Sequence, residues 1–268
     1  MNTNFAMPDD RALRRVRRRV RPICHADIEI DVAQTQDEVA LAWQLVYRSY
    51  RQAQLIEDNP FQIHTVPHAL RSSTTVVIGR IDGEIVSTLT MMHDSKQGGL
   101  PLDCVYKSRL DDLRVQGRKL MEVGLFADQR LIIGKATTAF MEMMRFVFYN
   151  SCYHLADIVI GVHPSHAPFY RRNFGFNIDG HVDVHPTVNN NPVVLLRGDT
   201  QAQLIADPVP MQLKNYLDRP LPRTTFANQP PLHPQDLQGS VLANFCDLAQ
   251  DMKQTPKITD RTKKARIA

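Results

Sequence analysis

One carboxylate, Glu122, stands inside the apolar run Leu120–Asp128, next to Met121 and Val123 and shortly before Leu125 and Phe126. A carboxylate buried without a partner is costly, so a chain keeps one in such a strand for a reason. Either it faces solvent or an arginine at a sheet edge, or it uses the raised pKa that burial imposes and works as a base near neutral pH. A second candidate is Tyr170 in the string Ala-Pro-Phe-Tyr-Arg-Arg-Asn-Phe-Gly-Phe. Its phenol can give a proton or a hydrogen bond, or it can close the core beside Phe169. Arg171 and Arg172 follow it, suited to phosphate, to the acidic face of a partner, or simply to solvent. Arg48 can grip a carboxylate with two parallel hydrogen bonds, or pair with Glu57 or Asp58 to hold the chain that follows. His163 and His166 flank Pro164 as titrating bases or as a helix start, and His64, His68 and His93 form no ligand set.

These side chains need elements to hold them. Apolar positions at Val39, Trp43, Val46, Tyr47 and Tyr50 recur every three or four residues, which predicts an amphipathic helix from Asp37 to about Gln54. Residues 55–73 then break the pattern with Pro60 and Pro67 and read as a long functional loop. Two β-branched runs around Asp82-Gly83 predict a hairpin, because that pair supplies the positive φ angles of a tight turn. A short polar helix is expected over 101–117, a strand around Glu122, and a long buried helix from Ile133 to Tyr149. A buried strand follows from Leu155, a short helix after Pro164, and a last strand from Asn191. Leading strands and later interleaved helices predict a mixed α/β sheet covered on both faces.

Composition narrows the class. The 268 residues are 43% hydrophobic and 22% charged, too apolar for a chain disordered throughout. No run reaches the roughly 20 apolar residues that span a bilayer, and the four cysteines form no CxxC pair or zinc-like cluster, so a cytoplasmic protein with no metal is expected. The net charge of +4 is uneven: residues 1–22 carry +5, residues 251–268 carry +4, and the body between them carries −5. The Arg-rich run from Arg11 to Arg21 suits an acidic partner, a membrane surface or nucleic acid, but nothing aromatic accompanies it, and it reads first as a solvated arm. The expected organisation is a basic arm over 1–27, a catalytic domain over 28–199, and a proline-rich extension over 200–268 with one helix near 239–252 and a basic tail.

The stretch from Met121 to Phe176 resembles the core of the GNAT acyltransferase superfamily, and its Ala-Pro-Phe-Tyr-Arg-Arg-Asn-Phe-Gly-Phe string resembles that superfamily's signature of a Tyr shortly before Gly-Phe. Together with Val-Tyr-Arg-Ser-Tyr-Arg-Gln-Ala-Gln-Leu-Ile-Glu-Asp-Asn-Pro at 46–60, the pattern over about 37–197 resembles the long-chain N-acyl amino acid synthases, relatives of the acyl-homoserine-lactone synthases. The superfamily's donor loop reads Q/R-x-x-G-x-G/A; here Gly134 and Ala136 match it while Leu131 takes the first position, with Arg130 one residue early.

The resemblance implies a GNAT-like fold with a mostly antiparallel central sheet. It implies transfer of a long-chain acyl group from an acyl carrier protein thioester to the α-amine of an amino acid, with acyl-phosphopantetheine or acyl-coenzyme A as co-substrate. Glu122 would take the amine's proton and Tyr170 would protonate the departing thiolate. Arg48, Tyr50, Phe126 and Met91 would contact acceptor and acyl chain, and Arg130, Gly134, Lys135, Ala136, Arg171 and Arg172 the donor's phosphates or its carrier. A strand N–H near Phe126 would meet the oxyanion. The rival readings are a coenzyme A dependent small-acyl N-acetyltransferase and a non-catalytic GNAT-like module.

Overall fold

The computed structural model describes residues 28–129, 136–206, 209, 211–227 and 230. Arg130, Gly134, Lys135, the Arg-rich arm and the helix expected near 239–252 lie outside them.

Eight strands form the sheet, in the order β1-β2-β3-β4-β5-β8-β6, with β7 paired to β8. They are β1 (Glu29–Val32), β2 (Thr74–Ile81), β3 (Glu84–His93), β4 (Lys119–Asp128), β5 (Ala156–Val162), β6 (Asn177–Ile178), β7 (Asp183–His185) and β8 (Asn191–Gly198). Every pairing is antiparallel except β4 with β5. The hairpin forms as expected: Asp82 and Gly83 carry φ of 51° and 83°, the conformation a two-residue hairpin turn requires.

Helix α1 (Gln36–Gln52) starts in a capping box, Thr35 accepting from the Glu38 N–H while the Glu38 side chain reaches back to the Thr35 N–H. It buries Val39, Trp43 and Val46 against Val76, Ile78 and Met92 of the sheet. Helix α2 (Asp103–Val115) covers the same face farther along, where Leu102, Tyr106 and Leu110 pack on Leu120, Val159 and Val193. The opposite face is closed by α3 (Ala136–His154) and α4 (Ala167–Phe174), with Phe140, Met143, Phe146 and Phe174 against Met91, Met121 and Ile158.

Beyond Asp199, in the first part of the expected proline-rich extension, stand two short helices, α5 (Thr200–Ile205) and α6 (Met211–Leu217). Asp199 caps the first through the Ala202 N–H. Leu213 and Tyr216 of the second enter the main core, and the Tyr216 hydroxyl donates to the Met141 carbonyl at 2.7 Å. Strands of two to four residues such as β1, β6 and β7 carry no readable period, which is why the sequence did not announce them.

Candidate active site

Two irregularities of the sheet converge on one place. Strands β4 and β5 pair only from Lys119–Ala156 to Glu122–Val159, although β4 continues to Asp128 and β5 to Val162. Past Glu122 the two strands therefore diverge and open a wedge. Within the same stretch the β3–β4 register jumps, Thr90 opposing Gly124 and Thr88 opposing Ala127, so that Leu125 and Phe126 face the single residue Leu89. Leu125 takes a φ of 50° there, a conformation disfavoured for a branched side chain. Such a bulge takes residues out of the ladder and re-aims the backbone beside the wedge.

Glu122 lies at the root of this wedge, 6% exposed. Its Oε2 accepts one hydrogen bond, from the Leu102 N–H at 2.8 Å, the cap residue at the start of α2. No arginine pairs with it among the described residues. Burial pushes its pKa up to about 8; the Leu102 N–H pulls it back and the neighbouring Asp103 charge pushes it further up. A Cβ placed on Gly124 would stand 3.9 Å from Glu122 Oε1, so the carboxylate lies alongside a residue with no side chain, on the way to the bulge.

Tyr50 reaches the same region from the last turns of α1. Burial and then the Glu122 charge push its phenol up to about 12, and its ring sits 5.1 Å from that of His64. Burial alone takes His64 down to about 4, so it stays neutral at ordinary pH. Tyr170, on α4 across the wedge, is likewise pushed up to about 12, by burial first and then by Tyr50. Its ring is held by Phe140, edge-on at 5.9 Å, and Phe176, stacked at 6.2 Å. Its hydroxyl has no hydrogen-bond partner among the described residues. A carboxyl with a raised pKa and a phenol that keeps its proton thus stand on the two sides of the wedge.

The family model of the N-acyl amino acid synthase FeeM matches residues 41–199. The chain belongs to the FeeM family. That makes it an N-acyltransferase. The solved structure of FeeM, an N-acyl amino acid synthase from uncultured soil microbes, is 22% identical, covers 63% of this chain and 88% of that one, and superposes with a TM-score of 0.56. TofI, solved in a ternary complex with an inhibitor and MTA, is 18% identical over 74% of this chain and 99% of its own, at a TM-score of 0.50. The AHL synthase LasI is 15% identical over 65% of this chain and 92% of its own, at 0.46. No curated protein matches by sequence. The fold is the GNAT-like one that the sequence implies.

In this FeeM-family chain the site residues named from sequence are only partly brought together. Glu122, Tyr50 and Tyr170 converge. Phe126 stands at the bulge, its ring 4.9 Å from Phe140 and edge-on to it. Arg48 does not join them: it is exposed and two helical positions from Tyr50, on the other side of α1. Its expected partners are held by neighbours instead, the Tyr47 hydroxyl donating to Asp58 and Arg51 standing 3.8 Å from Glu57. Met91 is fully buried among Phe140 and Met143, so it forms closed core rather than the wall of an open slot. Arg171 and Arg172 are exposed on the last turn of α4, and Ala136 is the first residue of α3. His163 accepts from the Ser165 N–H and starts the turn before α4, a structural part. A broad hollow lined by His93, Lys119, Asn150 and His154 lies at the other end of β4 and includes neither Glu122 nor Tyr170.

Sequence reading missed what holds Glu122, the Leu102 N–H, and it missed His64 beside Tyr50. A donor twenty residues away on another element leaves no mark in local pattern. Among the described residues no group of three or more His, Cys, Asp or Glu is placed to hold a metal ion, and no helix is long and apolar enough to cross a membrane.

Proposed function

We propose that the protein joins a long-chain acyl group, delivered as an acyl carrier protein thioester in the cytoplasm, to the α-amine of an amino acid. The observation that carries this reading is Glu122, buried at the root of the wedge with a single backbone N–H as its hydrogen-bond partner, an environment that raises its pKa. Ionised Glu122 takes a proton from the incoming ammonium, and the neutral amine attacks the thioester carbonyl. The resulting oxyanion meets backbone N–H groups at the Leu125–Phe126 bulge. The carbon–sulfur bond then breaks, Tyr170 supplies the thiolate with a proton, and the second proton that the nitrogen sheds in becoming an amide restores the phenol. The basic arm over Arg11–Arg21 complements an acidic carrier, and Arg171 and Arg172 add to it next to the wedge.

The test is mass spectrometry of lipid extracts from cells that overproduce the protein, compared with cells that overproduce Glu122→Gln. N-acyl amino acids should appear in the first alone; their absence from both overturns the reading. A second reading, a coenzyme A dependent enzyme for short acyl groups, draws support from the closed core around Met91 and Met143, and acetylated products in the same extracts would establish it.

Tyr170→Phe keeps the aromatic cluster and removes only the hydroxyl. Loss of its proton transfer is expected to lower kcat by roughly 100-fold or more with little change in Tm. An unchanged kcat would leave Tyr170 with a packing role alone.

A further inference from the structure

The Leu102 N–H meets Glu122 at the end of a loop that polar contacts hold against the first turn of α2, and one side chain makes most of them. Arg114, in the last turn of α2, spends all five of its N–H donors on three carboxylates. It grips Asp94 at 2.7 and 3.0 Å, Asp103 at 2.8 and 2.9 Å, and Asp111 at 2.6 Å. Asp103 in turn accepts from the Leu100 N–H at 2.8 Å. Asp94 follows directly on β3, so the guanidinium ties the end of that strand to the start of α2 and fixes the loop between them.

Arg71 secures the same loop by donating to the Gly99 carbonyl at 2.7 Å. The loop passes so close that a Cβ on Gly99, whose φ is +57°, would stand 1.9 Å from Asp103 Oδ2. Such a residue fits only a turn wrapped around that carboxylate.

We propose that Arg114 is a positioning residue for Glu122, fixing the Leu102 N–H against its carboxylate and cancelling the Asp103 charge next to it. The proposal rests on Glu122 acting as the base. The charged and titratable groups that face Glu122 are Tyr50 from α1 and Asp103 and Cys104 from α2; Met92 of β3 and Gly124 of β4 add none.

The two halves of the ion pair have opposite signs, and that makes the test specific. In Arg114→Gln the Asp103 charge is uncancelled and the Leu102 donor is released, so Glu122 becomes harder to ionise and its titration moves up by about one pH unit. In Asp103→Asn the repelling charge itself is gone while the amide oxygen still accepts from the Leu100 N–H and keeps the turn in place, so the titration moves down. A role in stability alone would move both variants the same way or neither, since both break the same contact. Arg114→Lys keeps the charge without the fork and should fall between wild type and Arg114→Gln.

The measurement is carboxyl-carbon NMR titration of the full chain, with the Glu122 signal assigned by its loss in Glu122→Gln, alongside the pH profile of kcat/KM. Opposite shifts in Arg114→Gln and Asp103→Asn support the proposal. Equal shifts, or none, overturn it. If Arg114→Gln fails to fold, Arg114→Lys and Asp103→Asn still give the comparison. A profile whose acidic limb survives in Glu122→Gln overturns the base assignment instead, and the NMR titration, which needs no substrate, keeps that outcome separate.

Discussion

Replacing Glu122 with Gln should abolish most turnover while making the protein more stable at alkaline pH. The amide keeps the shape and can still accept from the Leu102 N–H, but it cannot take a proton from an amine. Loss of a general base lowers the rate by roughly 100-fold to 10,000-fold. The wild-type profile should rise with pH through about 8, because the base works only when ionised, and this limb should vanish in the variant. The stability effect follows from the same burial. An unfolded chain ionises Glu122 near the ordinary glutamate value of 4.5, whereas the folded protein holds on to the proton until about 8. Between those values the folded state binds more protons, so wild-type stability falls as pH rises. The loss amounts to about 4 to 5 kcal/mol above pH 8, and a Gln at this position escapes it. Thermal melts of both proteins from pH 4 to 9 should therefore diverge with rising pH. A constant gap, or a variant that keeps a third of wild-type kcat, would remove Glu122 from the chemistry.

The contrast between Glu122 and its surroundings shows what a sequence of this kind can disclose. A charge among apolar strand residues is a local anomaly, and Asp82-Gly83 between β-branched runs is a local instruction. Both are written within ten residues and both are realised. The partners of Glu122 are not local. Leu102 meets it through a backbone N–H, which any residue could supply, and Arg114 acts through Asp103 and Asp94, eleven and twenty positions away. The bulge at Leu125 is hidden for a related reason. Left-handed backbone is announced by Gly or Asn, and here a Leu is forced into it by the register of β3 against β4. Arg48 shows another limit: residue type suggested substrate contact, but no local pattern tells that Asp58 and Glu57 are met by Tyr47 and Arg51 while Arg48 stands exposed two positions from Tyr50.

Donors with twelve to sixteen carbons should be used in strong preference to acetyl donors. Each buried methylene is worth roughly 0.8 kcal/mol, so a twelve-carbon chain exceeds acetyl by about 8 kcal/mol if fully enclosed. Even a third of that is about 100-fold in kcat/KM. The packing sets the condition for this gain. Past Glu122 the wedge between β4 and β5 opens over Phe126 and Phe140, and Met91 and Met143 lie fully buried beneath them. These described residues form closed core, so on the proposed reading a long chain would enter by displacing side chains from it. Methionine suits the task, since its unbranched thioether repacks with little strain, and the Met143 sulfur accepts from the Ser87 hydroxyl at 3.2 Å. Trp at Met143 would fill the space that the chain needs with a rigid ring. The preferred donor should then shorten, from twelve or sixteen carbons toward eight or fewer, with activity on the short donors retained. Overpacking alone would lower Tm and leave the order of preference unchanged. Kinetics with donors of two, eight, twelve and sixteen carbons, each on carrier protein and on coenzyme A, separate these outcomes. A wild-type preference for the two-carbon donor would mean that the core stays closed during turnover, and would replace the long-chain assignment with the short-acyl one.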